Sequence, residues 1–343
     1  MKQHLNTLFV TTQGAYLKKD GEAVAVRIDK KTALRVPLNN LGSIVCFGRI
    51  SCSTPLLGAC AERGVAVSLM TEYGRFLAAV NGFTPGNVLL RREQYRRADD
   101  LDASANIARA CVIGKLANYR TVLRRAAREH RQPQVVEALT RAAGRIDQGL
   151  QELARETSLD RVRGMEGENS ATYFGVFDHL IGDPAGQFRF SGRNRRPPLD
   201  PVNALLSFLY SMLANDARAA CEAAGLDAAV GFLHRDRPGR PSLALDLMEE
   251  LRPVLADRLV LSLINRQQVK AKDFTTSESG AVVMNDKARK TVLAAYQKRK
   301  QETLRHPFLD ETITLGLLVH IQARLLARLL RGDLDAYPPF VWK

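Results

Sequence analysis

The residue pattern of this chain changes once, at Gly-Phe-Thr-Pro-Gly-Asn, residues 82–87. Before that point, short β-branched or aromatic runs alternate with turn formers. Leu-Phe-Val-Thr-Thr begins at residue 8, Ala-Val-Ala-Val-Arg-Ile at residue 23 and Gly-Ser-Ile-Val-Cys-Phe at residue 42, with breaks at Lys19-Asp20-Gly21 and Asn39-Asn40-Leu41-Gly42. One short helix is expected within residues 51–64, capped by Ser53 or Thr54, with Pro55 in its first turn and Gly64 closing it. After residue 87 the strand signal nearly vanishes. Helical patterns occupy 88–131, 134–156, 200–224, 243–263, 286–304 and 312–331. The expectation is an α+β protein. A β-sheet domain with one short helix spans residues 1–85, and a larger all-α domain spans 86–343, with the Pro/Gly stretch as linker.

The charge is spread over both parts. Fifty Lys and Arg oppose thirty-six Asp and Glu, a net charge of +14. Residues 1–85 hold ten basic and five acidic side chains, so they contribute +5 and the remainder +9. An excess of this size favours a polyanionic partner, with nucleic acid first among the candidates. There is no apolar run of about 18 residues to cross a membrane and no signal-peptide pattern, so a cytoplasmic protein is expected. The five cysteines form no C-x-x-C pair and have no histidine at zinc-finger spacing, which suits reduced thiols.

No phosphate loop, dinucleotide fingerprint, nucleophile elbow or H-E-x-x-H motif is present, which argues against the enzymes that depend on them. Three other segments stand out. In Gly-Phe-Leu-His-Arg-Asp-Arg-Pro-Gly-Arg-Pro, from residue 231, His234 precedes a leucine-rich helix bearing Asp246, Glu249 and Glu250 on one side. That pattern fits either an amphipathic helix with its carboxylates in water or a metal site beside phosphate-binding arginines. In Arg-Gly-Met-Glu-Gly-Glu-Asn-Ser, from residue 163, Glu166 lies between glycines that cost about 1 kcal/mol each within a helix. Their presence fits close packing, a nearby ligand, or a helix that starts only near Asn169 or Ser170. In residues 188–200, Arg189, Arg193, Arg195 and Arg196 share a loop with Phe188 and Phe190. Such a loop suits phosphate contacts with base stacking, or simple solvation. A basic block on 285–306 reads as a backbone-tracking or a solvent-facing helix, and Tyr-Pro-Pro-Phe near the end reads as a segment that docks in a groove.

Four ordered motifs carry a resemblance: G-M-E-G-E-N-S-A-T-Y-F at 164–174, D-P-V-N-A-L-L-S-F at 200–208, G-F-L-H at 231–234 and D-L-M-E-E-L-R-P at 246–253. Together they resemble the CRISPR-associated integrase family, Cas protein one. The R-P-G-R-P turn and the Y-P-P-F-V-W-K terminus look like its type I-C branch. The resemblance implies a metal-dependent DNA endonuclease and integrase that joins the 3′-hydroxyls of prespacer DNA to repeat borders by transesterification. It implies that Glu166, His234 and Asp246 hold one Mg2+ or Mn2+, with Glu249 as a further carboxylate acting directly or through water. With it, Arg235, Arg237 and Arg240 are expected to hold neighbouring phosphates of the DNA, alongside the loop arginines Arg193, Arg195 and Arg196. A homodimer through the β domain, bridged by Cas protein two in a hetero-hexamer, is implied as well. The alternative is a basic nucleic-acid-binding protein without catalysis.

Overall fold

The computed structural model describes residues 6–82, 88–183 and 186–342. The expected linker lies outside these residues except for Gly82. Two compact units divide the chain near residue 85.

The first unit contains β1 (Asn6–Val10), β2 (Tyr16–Asp20), β3 (Ala23–Ile28), β4 (Lys31–Pro37), β5 (Leu41–Phe47), β6 (Ser51–Cys52), α1 (Thr54–Glu62), β7 (Ala66–Met70) and β8 (Phe76–Val80). They form two four-stranded sheets, in the orders β1-β5-β7-β8 and β4-β3-β2-β6. β1, β5 and β7 run parallel, and β8 returns antiparallel to β7. The Ser53 side chain accepts from the Leu56 amide and so caps α1, with Pro55 in the first turn where its missing N–H costs nothing. Leu56 and Cys60 of α1 join Leu17, Val24, Ile44 and Val67 in one apolar core. Gly64 closes the helix at φ +60°.

The second unit contains α2 (Val88–Asp99), α3 (Leu101–Glu129), α4 (Pro133–Leu153), α5 (Leu159–Gly175), α6 (Pro201–Ala223), α7 (Ser242–Glu249), α8 (Arg258–Asn265), α9 (Asp286–Gln301) and α10 (Leu315–Leu330). Two small hairpins, β9–β10 (Phe274–Thr276, Val282–Met284) and β11–β12 (Thr303–Arg305, Thr312–Thr314), are strands the sequence pattern did not suggest. α5 runs through Gly164 and Gly167, from its Ser158 cap to Gly175, so the alternative start near Asn169 does not hold. The single helix expected over 243–263 is two. Pro253 has no N–H, and its ring would crowd the carbonyl of Glu249, so residues Arg252–Asp257 open into a wide π-type turn before α8.

α7 is buried all round, which overturns the amphipathic reading. Leu243, Ala244, Leu247 and Leu251 are fully covered, and Asp246, Glu249 and Glu250 are 1%, 2% and 0% exposed. Glu250 anchors the C-terminal segment, which docks within its own unit. Its carboxylate accepts from the Tyr337 hydroxyl, Gln322 Nε2 and the Phe340 amide. Asn118 on α3 binds the same strap, donating to the Phe340 carbonyl at 3.0 Å and accepting from the Trp342 amide at 2.7 Å. Gly114 makes this closeness possible, because a Cβ there would lie 2.9 Å from Glu250 Cβ and 3.0 Å from Pro339 Cβ.

Burial pushes the Glu250 carboxyl up to about 7, against the pull of its three donors. The folded chain therefore holds this proton more tightly than the unfolded chain does. The stabilisation is complete below the ordinary carboxylate range and is lost as pH rises through about 7. The stability of the wild type minus that of Glu250→Gln should thus fall between pH 4.5 and 8, by on the order of 3 kcal/mol. Urea denaturation across that range measures the difference, and a flat difference refutes the assignment.

Candidate metal centre and nucleic-acid interface

Asp246 builds the turn that carries His234. Its Oδ2 accepts the amides of Phe232 at 2.6 Å and Leu233 at 3.0 Å, and its Oδ1 accepts the amide of His234 at 3.0 Å. His234 Nδ1 lies 2.6 Å from the same Oδ1. A carboxylate offers roughly four in-plane lone-pair directions, and all four are taken. Because the carboxylate can only accept, Nδ1 carries the proton and the Nε2 lone pair is left for another partner. Gly231 is required at this approach, since a Cβ there would sit 2.8 Å from Asp246 Oδ2. From the other side Arg163, on α5, clamps the turn by donating to the Leu233 carbonyl at 2.6 Å.

The expectation that Asp246 itself holds a metal therefore gives way. Its oxygens are spent on the turn, so it orients the histidine. The open donors belong to the other three residues. His234 Nε2 faces Glu249 Oε1 at 3.8 Å. Glu249 Oε2 lies 2.7 Å from Lys115 Nζ but accepts no hydrogen bond of proper geometry. Lys115, on α3, also donates to Glu166 Oε1, which Ser170 contacts at 2.9 Å. One buried ammonium thus bridges the two carboxylates expected to ligate. Burial alone would push Glu249 up, but Arg252, Lys115 and His234 outweigh it and hold the carboxyl at about 2, fully ionised near neutrality. Arg252 forms an ion pair with Glu249 Oε1 at 3.1 Å while its guanidinium stacks 4.7 Å from the Tyr210 ring centre. Glu166 is the half-exposed member. Cβ atoms built on Gly164 and Gly167 beside it meet nothing within 4 Å, so these glycines are not there for packing.

Among the described residues, no three His, Cys, Asp or Glu side chains are spaced to hold an ion as they stand. An ammonium keeps carboxylates at hydrogen-bond distance, wider than the metal–oxygen bond of about 2.1 Å for Mg2+. The donor chemistry nevertheless fits a hard divalent cation: two carboxylates, an imidazole nitrogen and a positive charge already seated between the carboxylates.

The six arginines separate into two kinds. Arg193 is a brace. It donates to Asn203 Oδ1 at 2.6 Å and to Ser207 Oγ at 3.1 Å, and it stacks on Tyr210, so its donors are not free for phosphate. Arg235 is exposed and pairs with Asp160 at 2.9 Å. Arg195, Arg196 and Arg237 are exposed, and Arg240 is half-buried. Burial first, and then the neighbouring charges of Arg237, Arg195 and Arg196, hold Arg240 below the usual guanidinium range. The two arginine loops therefore form one positive surface. Phe188 and Phe190 are unavailable for base stacking. Both are buried, Phe190 with its ring 5.2 Å from Phe177 and Phe188 with its ring 6.0 Å from Phe274. The basic block on α9 is likewise divided, with Arg289 and Lys300 turned inward and Lys287 and Lys290 exposed.

Sequence reasoning missed Lys115, Arg163 and Arg252. A lysine within the apolar run Cys-Val-Ile-Gly-Lys-Leu-Ala-Asn-Tyr is the one signal that marks Lys115, because a charge on the covered face of a helix requires a counter-charge.

Fold and site together define a class: a basic two-unit protein with an enclosed cluster of carboxylates, an imidazole and a lysine beside an arginine surface. The chain belongs to the Cas1 family, since the family described as CRISPR associated protein Cas1 matches residues 8–298. It is 56% identical over 345 residues to CRISPR-associated endonuclease Cas1 1 of Chlorobaculum tepidum, covering 100% of both chains. It is 54% identical over 347 residues to CRISPR-associated endonuclease Cas1 2 of Rhodospirillum rubrum, again with 100% of both covered. In fold it is similar to a Cas1 protein from Thermotoga maritima, with a TM-score of 0.80 at 21% identity over 97% of this chain and 99% of that one. It is also similar to a casposase bound to integration product, with a TM-score of 0.83 at 21% identity over 99% and 95%. A chain of a Cas6-RT-Cas1–Cas2 complex gives 0.82 at 24% identity over 99% of this chain, which spans 36% of that longer one.

Asp246→Ala leaves three amides and the imidazole N–H without their acceptor, and a buried donor left unpaired costs about 1–3 kcal/mol. Chemical denaturation should show a loss of at least about 3 kcal/mol. A loss below about 1 kcal/mol would contradict the assigned role of this carboxylate.

Proposed function

We propose that this chain is a divalent-metal-dependent DNA endonuclease and integrase of CRISPR adaptation. It joins prespacer 3′-hydroxyls to CRISPR repeat borders by transesterification, and the same site acts as a nuclease on branched DNA. The observation that carries the reading is the Lys115 bridge between Glu166 and Glu249, with His234 Nε2 facing Glu249 Oε1 at 3.8 Å, beside the surface of Arg195, Arg196, Arg237 and Arg240. When bound, Mg2+ or Mn2+ supplies Lewis-acid polarisation of the scissile phosphate. The imidazole tilts the preference toward Mn2+.

The chain's own residues supply position and charge. Asp246 fixes the tautomer and direction of His234, and Arg252 keeps Glu249 ionised and in place. The arginine surface holds neighbouring phosphates, so the attacking hydroxyl and the scissile bond meet in a fixed geometry, which is most of what phosphoryl transfer asks of a protein. The partners that go with this reading are double-stranded and branched DNA, a second copy of the chain through its β unit, and Cas2 in a hetero-hexamer. The likeness to a chain of a Cas6-RT-Cas1–Cas2 complex and to a casposase bound to integration product supports Cas2 and DNA among them. The Arg-Pro-Gly-Arg-Pro turn and the Tyr-Pro-Pro-Phe-Val-Trp-Lys end support placement in the type I-C branch, and a cytoplasmic setting suits a DNA substrate.

Glu166→Ala, His234→Ala and Glu249→Ala should each abolish Mn2+-dependent cleavage and strand transfer on branched DNA, with DNA binding retained. Asp246→Asn should weaken Mn2+ binding by about 10–100-fold without eliminating it. Full strand transfer in the three alanine variants removes the enzyme assignment, and wild-type binding without cleavage under any divalent ion returns the chain to a DNA-binding role.

Removing charge at the surface arginines tests the interface separately. Arg195→Ala, Arg196→Ala, Arg237→Ala and Arg240→Ala should each lower DNA affinity and reduce the slope of log K against log salt by about 0.9. Arg193→Ala should instead lower thermal stability. Fluorescence anisotropy over a salt series and thermal unfolding distinguish the two patterns.

A further inference from the structure

Lys115 stands where the reading above needs an ion. The residue is 1% exposed, and its ammonium donates to Glu166 Oε1 and lies 2.7 Å from Glu249 Oε2. The two carboxylates come from α5 and α7, and α3 supplies the cation between them. Without it, two negative groups would face each other at the edge of an apolar interior, a costly arrangement. A divalent ion in the same place would meet an ammonium a few ångströms away, and like charges at that range repel by several kcal/mol even with substantial screening. Lysine and a metal ion therefore compete for the same two ligands. The aromatic face of Tyr119, one helical turn along α3, lies 5.4 Å from Nζ and offers the displaced ammonium a place to go. Arg252 stays on Glu249 Oε1 throughout, so that carboxylate keeps a counter-charge during the exchange.

We propose that Lys115 is an internal counter-ion that occupies the cation position of the metal-free protein and must be displaced for a divalent ion to bind. The inference rests on the metal reading of Glu166, His234 and Glu249. Its consequence is a site that is assembled and charge-balanced before any metal arrives. Entry is then an exchange of one cation for another, which lowers affinity and favours doubly charged over singly charged ions. Lys115 acts here through the ligands and is a positioning residue.

Calorimetric titration of EDTA-stripped full-length protein with MnCl2, with electron paramagnetic resonance of free Mn2+, tests the exchange. Lys115→Met should bind Mn2+ at least about tenfold more tightly than wild type. Its Tm should be lower in EDTA, and Mn2+ should raise that Tm by more than it raises the wild-type value. Lys115→Arg, which keeps the charge, should bind no more tightly than wild type. Equal or weaker binding by Lys115→Met, with wild type still binding, overturns the counter-ion role and leaves the metal reading intact. Absence of binding in both overturns both. If Lys115→Met does not fold even with Mn2+, Mn2+-soaked wild-type crystals decide. Anomalous density among Glu166, His234 and Glu249 with Nζ moved away supports the exchange, and density elsewhere or with the Lys115 bridge intact refutes it.

Discussion

The burial of three carboxylates, two on the eight-residue helix α7 and one on the residue that caps it, is the constraint on which the second unit depends. Asp246, Glu249 and Glu250 are all enclosed, and an enclosed carboxylate without donors costs more than a helix of this size can offset. Each one therefore draws a different part of the chain to α7. Asp246 gathers the turn at 232–234, Glu249 gathers Lys115 and Arg252, and Glu250 gathers the C-terminal strap. Site and core are in consequence one construction, since Asp246 and Glu249 belong both to the buried helix and to the candidate site.

Within that construction, holding and acting are divided between neighbours three residues apart. Asp246 spends every lone pair on a turn and so fixes an imidazole, while Glu249 keeps one oxygen without a hydrogen bond. The arginines show the same division. Arg193 is locked against Asn203 and Tyr210, whereas Arg195, Arg196 and Arg237 remain on the surface. A side chain's surroundings decide its role, and identical residue types one or two positions apart end with opposite ones.

Much of the architecture could be read from pattern alone, because strands and helices differ in period and are punctuated by Gly, Pro and capping residues. Ser53 and Asp200 cap the helices they were expected to start, and Gly332 follows the last one in a left-handed conformation. The pattern failed where burial was decided by distant neighbours. Asp246, Glu249 and Glu250 have the spacing of a solvated stripe yet are covered, and Phe188 and Phe190 sit in an arginine-rich loop yet pack inward, Phe190 on Phe174 and Phe177 and Phe188 on Phe274. Pro253 broke a helix that the leucine spacing would have continued.

The order of local elements, the excess of positive charge and the motif residues Glu166, His234, Asp246 and Glu249 were fixed by the linear chain, because each depends on residue type and near neighbours. That Asp246 braces the turn of His234, and that a lysine from α3 bridges Glu166 and Glu249, was settled only when helices far apart in sequence were packed together. Electrostatic roles in an enclosed site are set by distance and desolvation, and neither quantity exists until the chain has folded.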